Sequence, residues 1–228
     1  MNTFKRAALV ATTLSCCAMF AKDNDSAKRL DASAVVLKEM LGADDKGVPK
    51  ELAEQAQCFV VVPGLKKAGF IFGAKYGKGF AACRKAGGAG WTAPAAMRIE
   101  GGSFGLQVGA SETDVLLIVK NKDGVQKLLQ DKFTLGVGAE ATAGPVGRDL
   151  SAQTDAQMRA QILSYSRSRG VFAGLTLNGA TLRQDLDDNR ELYGSTLTSK
   201  EILEGSTPAP AGASAFETAL RTYSVRKE

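Results

Sequence analysis

Histidine is absent from all 228 residues. That single absence removes Ser-His-Asp and Cys-His nucleophilic machinery, HExxH zinc sites and histidine proton shuttles together. Aromatic residues are scarce at 7%, with one tryptophan. No stretch reaches the roughly 18 consecutive apolar residues that a transmembrane helix requires. Concentrated charge is missing too. Of the 29 basic residues, Lys5 and Arg6 fall in the leader described below, which leaves 27 against 24 acids, a net +3. So mild a surplus excludes the dense basic footprint of a nucleic-acid binder, yet it permits attraction to an anionic surface.

Three motif fragments lack the context their chemistry needs. Gly101-Gly102-Ser103-Phe104-Gly105 spells a nucleophile elbow, but a strand continues after it and no histidine exists to take the serine proton. Gly136-x-Gly138-x-x-Ala141 sits in an alternating, strand-like run rather than opening a helix, so it lacks the amide-lined terminus that would hold a pyrophosphate. Asp185, Asp187, Asn189 and Glu191 begin like a calcium loop. The sixth position is Arg190 rather than glycine and the twelfth is Thr196, which favours a solvated helix face or cap. The expectation is a non-catalytic domain with no cofactor and no metal.

What is present begins with a leader. Lys5 and Arg6 precede an apolar run from Ala7 to Phe20, and small residues precede the polar stretch Lys22-Asp23-Asn24-Asp25. This is the pattern of an export signal over residues 1–21, with cleavage after Ala18 or Ala21. A lipoprotein signal acylated at Cys16 or Cys17 is the rival reading. Export places the remaining cysteines, Cys58 and Cys83, where a disulfide is chemically permitted. Two small buried strand residues are the slightly preferred alternative, and sequence cannot supply the Cα separation that decides.

Leu30, Ala34, Leu37 and Leu41 recur at helical spacing and predict a helix from about Ser26 to Leu41, with a short one after Pro49. From Cys58 the character changes to strands. CFVVVPG reads as a buried strand closed by Pro-Gly, and the next run as two strands joined near Gly77 to Gly79. SFGLQVGA, FTLGVGAEA and VFAGLTLNGA share a hydrophobic/Gly alternation that fits neighbouring strands. The 25 glycines suit turns or close backbone approach. The fold class is therefore α+β: a curved, largely antiparallel, Gly-rich, even barrel-like sheet with N-terminal helices and short C-terminal helices. Residues 22–204 form the domain, 205–215 a Pro/Ala/Gly linker, and 216–228 a short helix and tail.

Basic residues cluster at loops: Lys66 and Lys67 after the Pro-Gly turn, then Lys75, Lys78, Arg84 and Lys85 around the next hairpin. Arg167 and Arg169 alternate in SYSRSRG, which places them on one strand face. Such groups either solubilise loops or meet phosphate headgroups, each lysine or arginine near an anionic membrane contributing about 1 kcal/mol.

VVPGLKKAGFIFGAKYGKG, WTAPAAMRIEGGSFGLQVGASETDVLLIV, FTLGVGAEATAGPVGRD and SYSRSRGVFAGLTLNGATLRQDLDDNRELYG follow one another in order. Together they resemble the successive blocks of the SYLF domain, from about Ser33 to Gly194. The resemblance implies phospholipid binding, of phosphoinositides or other anionic lipids, and actin binding in some eukaryotic members. It offers Lys66, Lys67, Arg167 and Arg169 as headgroup contacts. The leader makes this resemble a bacterial exported member of the periplasm or outer envelope. Such a chain would not meet actin, and its ligand would be an anionic phospholipid. An envelope interaction module without lipid binding is the alternative.

Overall fold

The computed structural model describes residues 25–43, 47–69, 72–87, 90–104, 109–136, 141–147 and 154–225. The export signal expected over residues 1–21, with Cys16 and Cys17, lies outside them.

Helix α1 (Asp25–Leu41) buries Leu30, Ala34, Leu37 and Leu41, the stripe its spacing predicts. Helix α2 (Lys50–Gln55) starts directly after Pro49, where a missing N–H costs nothing. Four long strands follow: β1 (Cys58–Gly69), β2 (Phe72–Cys83), β3 (Ala95–Phe104) and β4 (Gly109–Val119). Beyond α3 (Lys122–Leu128) the elements are shorter. They are β5 (Lys132–Thr134), β6 (Ala141–Ala143), α4 (Asp155–Arg159), β7 (Ile162–Ser168), β8 (Val171–Gly174) and β9 (Thr181–Gln184). Helices α5 (Leu186–Tyr193), α6 (Ser199–Glu204) and α7 (Ser214–Tyr223) complete the chain.

The strands form one strongly curled sheet in the order β5-β9-β3-β2-β1-β4-β7-β6, with β8 also paired to β7. Every pairing is antiparallel except β6 with β7. The expected α+β class is observed. The Gly-alternating runs do not pair with one another as neighbours, however: FTLGVGAEA runs from β5 to the start of β6, at opposite ends of the strand order, and VFAGLTLNGA begins in β8, which pairs with β7.

Both sheet faces are covered, which explains the unbroken apolar run at the start of β1. Phe59 and Val61 join α1, α2 and α7 in one core, with Leu37 and Phe216. Cys58, Val60 and Val62 face the other core with Leu128 of α3 and Ile202 of α6.

Two turn expectations fail for one shared reason. Strand β1 does not close at Pro63-Gly64 but continues to Gly69 between β2 and β4. A proline is tolerated in this central strand because the register shifts there in both pairings, a bulge that relieves the ladder of its missing N–H. Gly64 takes φ +61°, and its N–H donates to Asp114 Oδ1 at 2.9 Å. Gly77 to Gly79 are likewise no turn but lie inside β2 against that bulge. A Cβ on Gly79 would lie 1.8 Å from the Val61 carbonyl oxygen, and one on Gly77 2.7 Å from Val62 Cγ1. These glycines let two backbones approach closely.

Cys58 and Cys83 are directly opposed on β1 and β2, with Cα atoms 4.0 Å apart, and form a disulfide. The reading as two separate buried cysteines is therefore corrected to a cross-strand bridge.

Candidate functional site

The eight basic candidates divide by their partners. Arg84 is committed to structure. Its Nε donates to the Ala56 carbonyl at 2.8 Å, its Nη2 to those of Glu54 at 3.1 Å and Ser224 at 2.6 Å, and its guanidinium lies over the Trp91 ring. Lys78 is also occupied. Its ammonium sits 2.9 Å from Asp185 and 2.8 Å from Asp188. Burial alone would lower its pKa, but hydrogen bonds to Asp188 and Asp185 raise it above the ordinary lysine value.

Arg167 faces Asp114, donating through Nε at 3.0 Å, and also pairs with Glu39 of α1. Burial holds its pKa below the ordinary arginine value. Asp114 itself is pushed up, by burial first and by the charge of Glu112, against the hydrogen bond from Gly64. Arg169 does not share its strand face. Strand β7 ends at Ser168, and Arg169 with Gly170 makes a two-residue turn at φ 49° and 80° into β8. Both arginines nevertheless line one open hollow of about 600 Å³ with Glu112 and Asp114.

Lys66, Lys67 and Lys75 remain together at the end of the sheet formed by the far halves of β1 and β2. Lys67 stands directly opposite Lys75, and Lys66 opposite Tyr76 and Glu112. Alternation from Leu65 sends Lys67 and Lys75 to the face of the Cys58 and Val60 core, and Lys66 to the opposite face. Among the described residues no acid is ion-paired with any of the three. The Lys75 ammonium donates to the Asn178 carbonyl at 3.3 Å. Burial, and then the charge of Lys67, lowers the Lys75 pKa. Around the pair the strands carry small residues: Ala68, Gly69, Gly73 and Ala74, with Gly101 opposite Lys75 and Ser111 opposite Lys67. Lys85 is exposed beyond the other end of β2 and does not belong to this group.

Sequence reasoning missed the buried ionic cluster. Asp185 is the N-cap of α5, fully buried, and its side chain accepts from Asp188 N–H. Burial would raise its pKa, but hydrogen bonds from Lys78 and the Asp188 backbone, with Lys78 and Arg98 charges nearby, bring it below the ordinary value. Arg29 of α1 pairs with Asp188, and Ser26 Oγ donates to Glu191 at 3.0 Å. Asn189, also fully buried, accepts from the Ala96 N–H at 2.7 Å. Asp185 of the calcium-like fragment thus caps a helix as expected, but its side chain and that of Asn189 are buried rather than solvated. No group of three or more metal-ligating side chains gathers among the described residues.

These features define the class: a helix-clad, strongly curled sheet with Lys66, Lys67 and Lys75 together at one end. A family model described as "Ysc84: Las17-binding protein actin regulator" matches residues 100–223. The chain belongs to this Ysc84, or SYLF, family. It is 35% identical over 190 residues to an SH3 domain-containing protein of Schizosaccharomyces pombe, covering 82% of this chain and 44% of that one. It is 33% identical to LAS seventeen-binding protein 3 of Saccharomyces cerevisiae over 193 residues, 83% of this chain and 41% of the relative. Identity to the human SH3 domain-containing YSC84-like protein 1 is 30% over 185 residues, 81% and 54% of the two chains. The chain thus spans about half the length, or less, of these curated relatives.

Proposed function

We propose that this domain binds anionic phospholipid headgroups, and that Lys67 and Lys75 at the open end of the sheet are the central contacts. The observation that carries the reading is their cross-strand register. Like charges directly opposite destabilise a sheet pair, and here no acid among the described residues offsets them. A phosphate between the two ammonium groups would remove that repulsion. Lys66 adds a cation on the other face, so an anionic surface meeting the strand end would reach all three. Arg84 and Lys78 are excluded as contacts because their donors are engaged within the fold. The leader over residues 1–21 supports an exported protein of the periplasm or outer envelope, bound at a membrane surface.

Vesicle co-sedimentation of residues 22–228 tests the proposal. Binding to phosphatidylglycerol-containing vesicles should exceed binding to pure phosphatidylcholine and should weaken as salt is raised. At about 1 kcal/mol per lysine, the double variant Lys67→Gln/Lys75→Gln should lose roughly 30-fold in affinity. Equal binding to both vesicle types, insensitive to salt and to the double variant, would sink it.

The family description supports a second reading, in which the domain engages a protein of the actin-regulating kind. Co-sedimentation with filamentous actin, in the absence of lipid, separates the two. Binding there that survives the double lysine substitution would favour the protein partner.

A further inference from the structure

A second cavity lies at the opposite end of the sheet. It opens beside Cys83, eight residues along β2 from Lys75, which is on the order of 25 Å of strand. Its volume of about 640 Å³ falls in the range that encloses a small organic ligand. Its apolar lining comes from Val125 of α3, Leu129 just after that helix and Leu203 of α6, while Arg84, Lys85, Lys122 and Glu204 supply charges. Lys85, Lys122 and Glu204 are exposed, and among the described residues neither lysine has an ion-pair partner. The segment that follows α6, Gly205 to Thr207, forms part of the wall and connects α6 to the covering helix α7.

Each part of this arrangement restricts the ligand. An apolar lining without a charged rim would accept a neutral hydrocarbon, and a charged rim without the lining would accept a simple ion. Both are present, so the matching ligand has an apolar body and a charged end. The Lys85 and Lys122 ammonium groups and the Arg84 guanidinium outnumber the Glu204 carboxylate, so the lining is net positive and matches an anionic end group.

We propose that this cavity binds a small amphiphilic anion, an acyl chain ending in a carboxylate. The chain lies against Val125, Leu129 and Leu203, and the carboxylate is taken by Lys85 and Lys122. The site is separate from the lysine pair at the open strand end and does not depend on headgroup binding there.

Equilibrium dialysis of radiolabelled laurate against the full chain, below the concentration at which laurate forms micelles, provides the test. The expected result is saturable uptake of about one laurate per chain, with acetate unable to compete because it lacks the apolar body. The variant Lys85→Gln/Lys122→Gln should weaken laurate binding by about five- to tenfold, as expected for two exposed charge contacts. Glu204→Gln should strengthen it by about two- to fivefold, since it removes the opposing charge. Lys67→Gln/Lys75→Gln should leave it unchanged. These residues are exposed or half-buried, and an unaltered thermal midpoint confirms that each variant is folded. Absence of saturable uptake overturns the proposal, as does equal affinity in the Lys85→Gln/Lys122→Gln variant or competition by acetate at matched concentration. Loss of laurate binding in the Lys67→Gln/Lys75→Gln variant would instead place the laurate at the other end, and would also overturn it.

Discussion

At Gly79 the two central strands come so close that no other residue fits. A methyl group there would lie 1.8 Å from the Val61 carbonyl oxygen and 2.7 Å from Val62 Cα, and both are backbone atoms in the middle of the sheet. Neither can move without breaking the β1 pairings on both sides. Gly79→Ala should therefore cost at least about 3 kcal/mol, the upper range for overpacking a rigid core. Gly102→Ala is the control. It is exposed near the end of β3, with its nearest atom 3.9 Å from a built Cβ, and should change stability by no more than about 0.5 kcal/mol. Urea midpoints of the two variants provide the comparison, and equal values would contradict the close-approach account. The same logic explains why the glycines read from sequence as a turn. Glycine marks a backbone need, and one chain without its neighbour does not say whether that need is a reversal or an approach.

Between elements, a covalent link ties two strands together and an ionic link ties the sheet to α5. The Cys58–Cys83 bridge closes a 25-residue separation at the β1–β2 end. On the chain-entropy account such a loop contributes about 3 kcal/mol. Dithiothreitol, or the variant Cys58→Ser/Cys83→Ser, should lower the unfolding free energy by about that amount, and the denaturant midpoint with it, while leaving a folded protein. An unchanged midpoint on full reduction would show that the bridge contributes nothing. The ionic link joins α5 to β2 and β3 through Asp185, whose carboxyl is held below its ordinary value by Lys78 and the Asp188 N–H. A depressed acid contributes stability that is full above its unfolded pKa and disappears as pH falls through the lower folded value. The thermal midpoint should accordingly fall as pH drops below about 4. Asp185→Asn should flatten that acid limb. A variant with the same acid dependence as the parent would remove Asp185 from its cause.

Over the whole molecule, what the sequence made legible is local. The α1 stripe, the Pro49 start and the capped α5 follow from spacing and turn chemistry within one segment, whereas the full lengths of β1 and β2 do not, because Pro63-Gly64 and Gly77 to Gly79 read as turns. The basic residues were visible as a cluster, but their partners were not. Lys78 and Lys75 look alike in KYGKG, yet alternation directs Lys78 toward Asp185 and Asp188, 107 and 110 residues away, and Lys75 toward the other face. Only strand order and register separate a structural cation from an unpaired one, and β9 and α5 return to β3 from far along the chain. The same long-range closure governs α7, which the sequence presents as a short helix beyond a linker. Phe216 and Leu220 are fully buried in the core that contains Leu30 and Leu37, and Arg84 donates to the Ser224 carbonyl just after the helix. Burying these two side chains contributes about 1.5–3 kcal/mol each. A typical domain has only about 5–15 kcal/mol of net stability. Truncation after Glu204 should then abolish cooperative thermal unfolding and expose dye-binding apolar surface on α1. The single change Phe216→Ala should lower stability by about 3–5 kcal/mol without unfolding the chain. If the truncated protein instead melted cooperatively near the parent midpoint, α7 would be an appendage, and the α1 face of the sheet would be stable without its C-terminal cover.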